Sequence, residues 1–327
     1  MRLEHVAIVG GGAWGTALAQ AAAAAGRQVT LVARDPLVVA AINALHRNPR
    51  FLGEQLLLAE VTAVTQLPEA DFLILAVPAQ ASRAALSALP PARIGGRPVI
   101  LSAKGLERGT LRRQSEILAE CAPAAIPFVL SGPSFAEDVA AGRPTAVTLA
   151  GNDAALTDAL AAALAGPGFR PYAAGDPLGV ELAGGLKNVY ALACGAVEGA
   201  GLGASARAAL LARAFAELSR LVVAMGGEAA TLTGLAGLGD LTLSCASPQS
   251  RNYRFGVRLG RGESAAGIAA DSPLAEGVFT APAAQDLARL LGVDAPLIDA
   301  VNLVLAGNAR IDQVVASLMA RPLKRET

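Results

Sequence analysis

The stretch HVAIVGGGAWGTALAQAAAAAGRQVTLVARD, residues 5–35, decides the fold. HVAIVG and QVTLVA read as two short buried strands, and the alanine-rich run between them reads as a helix. Gly10, Gly12 and Gly15 stand between the first strand and the helix in GxGxxG spacing. Gly10 permits a tight turn, Gly12 lets the backbone approach a pyrophosphate, and Gly15 lets helix and strand pack closely, with the helix N-terminus facing the phosphates. A GxGxxG alone is weak, and three glycines can be no more than a flexible turn. The complete strand–helix–strand setting makes a dinucleotide site the stronger reading.

The second strand ends at Arg34 and Asp35. An acidic residue at this point suits the ribose of NAD, whereas arginine accommodates the extra phosphate of NADP. Arg34 therefore favours NADP or dual use, although an exposed arginine opening a loop would read the same way. Trp14, the only tryptophan, lies between loop glycines. There a wall beside the cofactor or a domain cleft is expected rather than a plain core position.

At 327 residues the chain is long enough for two buried cores, since one core stops growing near roughly 250–300 residues. Hydrophobic residues make up 53% of it, much of that alanine. No uncharged apolar run reaches the roughly 18 residues of a membrane span. The start passes straight into a strand pattern without a signal peptide, so a cytoplasmic protein is expected. With 27 acidic and 27 basic residues spread along the chain, no net field attracts nucleic acid or an acidic membrane. Cys121, Cys194 and Cys245 are too far apart for a disulfide framework or zinc site, and each is expected to be a small buried residue. His5 and His46 are the only histidines, so no metal cluster is expected and the acid or base must be another residue type.

Outward from the opening stretch, DFLILAV, RPVILSA, PFVLSG and TAVTLAG continue the strand pattern, separated by helical runs. Strands apolar on both faces imply a parallel sheet covered on both sides. After about residue 176, Leu, Val and Ala recur at three- and four-residue spacing, as in buried helices. The expectation is an α/β fold: a Rossmann-type doubly wound, mainly parallel sheet over residues 1–180, and an all-α substrate domain over 181–327. No Ser/Pro-rich linker marks the junction. Catalysis is expected in the cleft between the domains.

The chain writes nearly all its positive charge as arginine; only Lys104, Lys187 and Lys324 are lysines. Lysine is the one of the pair whose proton can be removed near neutral pH. Lys104, in LSAKGLE, follows a strand on the edge where open parallel sheets bind ligands. The next strand ends in SGPSFAEDVAAG, with Gly132 and Ser134 in a turn and Ser134 a candidate N-cap. Lys187 lies in GGLKNVYALACG, with Ala183, Gly184, Tyr190 and Ala191 as its helical neighbours. No acidic residue pairs with it there, and the small residues let a ligand or another backbone come close. Desolvation would lower its pKa, letting the ammonium protonate a carbonyl oxygen as hydride reaches carbon. Asn188 beside it either orients the lysine or binds substrate. Downstream, GLAGLGDLTLSCASPQSRNYRFG places Asp240 in a glycine-rich turn and Ser250, Arg251 and Asn252 before a helix, a set suited to a phosphate or carboxylate. A solvated loop and helix cap would account for the last three equally well.

Together these motifs resemble the bacterial NAD(P)-dependent glycerol-3-phosphate dehydrogenases from residue 6 to about residue 290. GGGAWGTALA, LSAKGLE, SGPSFAEDVAAG, LKNVYALACG, GLAGLGDLTLSC, QSRNYRFG and AEGVFTA stand in that family's order and spacing. The resemblance implies reversible reduction of dihydroxyacetone phosphate to sn-glycerol 3-phosphate for glycerophospholipid synthesis, with NADP or NAD as cofactor. It implies Lys187 as the acid/base. Lys104, Gly132, Ser134, Lys187, Asp240, Ser250, Arg251 and Asn252 would bind substrate. Gly10, Gly12, Trp14, Gly15, Arg34, Lys104, Ala136, Arg251 and Glu276 would bind the cofactor. Two departures stand out: Ala13 occupies a position where the family often has serine, and Pro248 precedes the anion-binding residues. A homodimer is the class-level expectation.

Two rival readings are another two-domain hydroxy-acid or sugar-phosphate dehydrogenase, and a regulator that senses NAD(P) without turnover. The first does not require QSRNYRFG after GLGDL. The second needs neither Lys187 nor an anion clamp.

Overall fold

The computed structural model describes residues 2–271, 275–322 and 325, so Lys324 lies outside the described residues. Compact packing divides the chain into one unit of Met1–Gly185 with Gly226–Asp240, and another of Leu186–Met225 with Leu241–Thr327.

The first unit is built on eight strands: β1 (His5–Val9), β2 (Gln28–Val32), β3 (Val61–Val64), β4 (Phe72–Leu75), β5 (Pro98–Leu101), β6 (Ile126–Ser131), β7 (Thr145–Ala150) and β8 (Phe169–Ala174). They form one sheet in the order β3-β2-β1-β4-β5-β6-β7-β8. Pairing is parallel except between β6 and β7, which is antiparallel. The expected parallel sheet thus carries one reversal.

Successive side chains of a strand point to opposite faces. Val6, Ile8, Phe72 and Ile74 enter one core, while Ala7, Val9, Leu73 and Leu75 enter another. This two-sided burial explains the continuous apolar runs. The sequence reading lacked β3 and β8, the two outer strands. In β3 exposure alternates from residue to residue, and β8 contains Pro171 and exposed Tyr172. Both patterns suit an edge and hide the strand among loops.

The strand order reverses between β1 and β4, which is where an open α/β sheet leaves a crevice for a ligand. Gly10 sits at that point with φ +129°, and a β-carbon on it would stand 2.5 Å from the Ala76 carbonyl oxygen. No residue with a side chain fits there.

Late in the chain, Gly226–Asp240 returns to this unit. Asp176 is buried and accepts hydrogen bonds from Gly179 N (2.8 Å), Glu228 N (2.9 Å) and Thr231 Oγ1 (2.7 Å). Ala236 adds an apolar contact cluster with Val129, Ala150 and Val180. One carboxylate therefore starts the helix Pro177–Gly199 and anchors the returning segment.

Helices alone make up the second unit among the described residues. Its closest packing joins Pro177–Gly199 to Arg251–Gly260 through two glycine pairs at four-residue spacing. A β-carbon on Gly195 would lie 2.1 Å from Tyr253 O, and one on Gly199 2.0 Å from Val257 O. Reciprocally, one on Gly256 would lie 2.1 Å from Leu192 O, and one on Gly260 2.2 Å from Ala196 O. Each helix thus presses backbone against backbone, and the lock fixes both the distance and the register of the two helices.

Candidate active site

The helix Ala13–Ala24 begins at Gly12, which offers no side chain to cap it. A β-carbon at Gly12 would meet nothing within 4 Å, whereas one at Gly15 would stand 1.9 Å from Gly10 O. The second and third glycines therefore do different things: one leaves open space over uncapped N–H groups, the other permits contact. Such a helix start attracts anions. Asn48, fully buried, braces the loop by donating to Gly11 O (3.0 Å) and Thr16 Oγ1 (2.8 Å). Trp14 and Ala136 both pack, partly exposed, on the same core. The Trp14 indole N–H is buried with no hydrogen-bond partner among the described residues, an orphan donor beside the glycine loop. These features fit a bound dinucleotide.

Arg34 is exposed and pairs with no acid among the described residues. Asp35, by contrast, has both oxygens engaged. Oδ1 accepts from Leu37 N at 2.9 Å, capping the helix Pro36–Leu45, and Oδ2 pairs with Arg50 at 2.5 Å. The acid is thus occupied while the guanidinium is available.

Lys104 follows β5 and Gly132 follows β6. Lys104 Nζ donates to Gly132 O (3.1 Å) and pairs with Asp240 Oδ2 (2.7 Å), whose side chain is 1% exposed. Ser131 Oγ reaches the same carboxylate oxygen at 3.5 Å. Gly132 has φ +151° and lies against Val147, where a β-carbon would approach Val147 Cα to 2.8 Å. Three predicted residues therefore form one group within the first unit, and Ser134 joins it by donating to Gly132 O at 3.0 Å. Its expected capping role is corrected: the helix Ala136–Ala140 starts after Phe135 without a side-chain cap. Asp240 is corrected too, since it opens the helix Asp240–Ala246 after a wide helical turn closed by Gly239 N to Gly234 O (3.1 Å).

Within the second unit, Lys187 is 5% exposed and donates from Nζ to Ser244 Oγ at 2.7 Å. Ser250 caps the helix Arg251–Gly260 by accepting from Tyr253 N at 3.3 Å. That bond leaves the first-turn N–H groups of Arg251 and Asn252 for an anion. Arg251, the first residue of that helix, is exposed and pairs with no acid among the described residues. Glu276 is buried at the head of the helix Glu276–Leu291.

Ser131, Ser244 and Asn48 were missed from the sequence. Ser244 had a local signal: it stands four residues after Asp240, on one helix face. Of the two neighbours expected for the small residues around Lys187, Gly184 admits the end of a neighbouring strand: a β-carbon there would meet Ser131 Oγ at 2.4 Å. Of the cysteines, Cys194 and Cys245 are buried as expected, whereas Cys121 is half-buried. No group of three potential metal ligands occurs among the described residues, nor any helix long and apolar enough to cross a membrane.

Residues 5–157 match the family model described as NAD-dependent glycerol-3-phosphate dehydrogenase N-terminus, and residues 176–316 match the C-terminus model of that name. A glycerol-3-phosphate dehydrogenase (NAD(P)+) of Caulobacter vibrioides is 51% identical over 332 residues, covering 100% of both chains. One from Sphingopyxis alaskensis is 50% identical over 99% of this chain and 98% of its own. The crystal structure of the Coxiella burnetii glycerol-3-phosphate dehydrogenase superposes with a TM-score of 0.91 at 36% identity, covering 97% of this chain and 99% of that one. The Saccharomyces cerevisiae enzyme, at 22% identity and TM-score 0.84 over 98% and 100% of the two chains, shares the fold. The chain belongs to the NAD-dependent glycerol-3-phosphate dehydrogenase family.

Proposed function

We propose that the protein reduces dihydroxyacetone phosphate to sn-glycerol 3-phosphate, reversibly, and so supplies the backbone for glycerophospholipid synthesis. The observation that carries the reading is the buried Lys187, held by a serine hydroxyl in the unit that also presents a capped helix start opened by Arg251. A bound nicotinamide cofactor supplies the hydride. Its holders would be Gly10, Gly12, Trp14, Gly15, Arg34, Lys104, Ala136, Arg251 and Glu276.

Lys187 Nζ gives its proton to the substrate's carbonyl oxygen as the carbon is reduced, and takes it back from the alcohol in reverse. Ser244 keeps the amine in one place. Ser250, Arg251 and the first-turn N–H groups bind the phosphate, the guanidinium adding forked, charge-assisted donors. Lys104, fixed by Asp240 and Gly132 O, adds a second positive charge for substrate or cofactor, and Ser134 completes that turn.

NADPH is the proposed preference, because Arg34 is available for a 2′-phosphate while Asp35 is engaged by Leu37 N and Arg50. A cytoplasmic setting and a homodimer belong to the same reading, and gel filtration tests the dimer. The decisive assay follows cofactor oxidation by purified protein with dihydroxyacetone phosphate, using NADPH and NADH in parallel. Turnover faster with NADPH supports the whole reading. No turnover with either would refute it.

A further inference from the structure

Three candidate site residues in the helical unit are each followed in sequence by a member of one hydrogen-bonded chain: Lys187 by Asn188, Arg251 by Asn252, Glu276 by Gly277. Asn252 Nδ2 donates to Asn188 Oδ1 at 3.0 Å, and Gly277 N donates to Asn252 Oδ1 at 2.8 Å. Both asparagines are buried, at 6% and 8% exposure. A backbone N–H can only donate, so the Asn252 oxygen must face Gly277 and its nitrogen must face Asn188. The chemistry thus fixes the Asn252 amide and makes Asn188 Oδ1 an acceptor for it.

Gly277 is seated directly on this pair. A β-carbon there would stand 2.4 Å from Asn188 O and 3.0 Å from Asn252 Oδ1. Further along, the glycine lock already sets the register of the lysine helix and the arginine helix. The asparagine pair adds a polar tie at their functional ends, and Gly277 extends it to the helix headed by Glu276.

We propose that Asn188 is a positioning residue: acting through Asn252, it holds the Ser250–Asn252 anion-binding turn in register with Lys187, and is not itself a substrate ligand. The inference rests on the roles proposed above for Lys187 and for that turn. It also assigns the Asn252 side chain to the tie, leaving its backbone N–H for the phosphate.

The test compares dihydroxyacetone phosphate with phosphate-free dihydroxyacetone in the full-length wild type, Asn188→Ala, Asn252→Ala and the double variant. Because the tie acts on the phosphate-binding turn, Asn188→Ala should lower kcat/KM for the phosphorylated substrate about tenfold or more. It should leave dihydroxyacetone within about twofold. In the double variant the loss should match Asn252→Ala alone within about twofold, since both changes cut one tie. Equal losses on both substrates, or losses that multiply in the double variant, would overturn the inference and make Asn188 an independent ligand. Asn188→Ser withdraws the acceptor by one bond length while keeping a polar atom, and carries the same comparison where the alanine variant does not fold. A wild type inactive on both substrates would instead overturn the proposed function.

Discussion

Lys187 Nζ and Ser244 Oγ lie 2.7 Å apart, and both residues are at most 5% exposed. Lysine ends in a compact charge on a flexible four-carbon stem, so a fixed acceptor at its tip restricts where the amine can sit. Ser244→Ala removes that acceptor without changing charge. A hydrogen bond to a charged group is worth about 1.5–3 kcal/mol, so kcat should fall about 10- to 100-fold with little change in KM. Steady-state kinetics checks the split.

Arg251→Gln should act on the other parameter. Loss of a charge-assisted fork beside the Ser250-capped helix start should raise KM for dihydroxyacetone phosphate about tenfold or more. Arg251→Lys should restore only part of it, because an ammonium lacks the planar pair of donors. An unchanged KM would remove Arg251 from the phosphate site.

The glycine lock predicts a loss of stability. In Gly256→Ala the new methyl carbon would fall 2.1 Å from Leu192 O, which forces the two helices apart. Overpacking of this kind costs about 1–3 kcal/mol or more. Thermal unfolding should show a clearly lowered midpoint, whereas alanine at Gly262, where a β-carbon meets nothing within 4 Å, should show only the smaller strain of its φ of +92°.

Glu217 gives the pH dependence. Its buried carboxylate accepts from Leu297 N (2.9 Å) and Ile298 N (3.0 Å) at the start of the helix Pro296–Leu305. Burial pushes its pKa from 4.5 up to about 7, against those two bonds and the nearby Arg220 charge, which pull it down. Between these values the folded chain holds a proton that the unfolded chain has lost. Stability should therefore fall as pH rises from about 4.5 to about 7 and level off above, a change of about 3 kcal/mol from this group. Urea unfolding of Glu217→Gln at about pH 5 and about pH 8 should lack that part of the slope.

The sequence carried the inner strands, the glycine loop and both internal lysines, because each leaves a local trace: a run of apolar residues, a fixed spacing, or an unusual residue choice. β3 and β8 left none, since an edge strand needs only one buried face. Lys187 meets Ser244 across 57 positions and Lys104 meets Asp240 across 136, so those partners emerge only when the chain folds. Ser134 was misread because a serine before a helix ordinarily caps it; here its hydroxyl turns back to Gly132 O. Glu217 leaves no local trace either, since the helix start whose N–H groups it accepts from lies 80 positions further on.

The proton transfer proposed for Lys187 is checked by Lys187→Ala, measured both for NADPH binding by fluorescence titration and for turnover of dihydroxyacetone phosphate. NADPH affinity should stay near the wild-type value, while turnover should fall about a thousandfold, the scale of general acid catalysis. Near-normal turnover in that variant would show that Lys187 is not the acid/base.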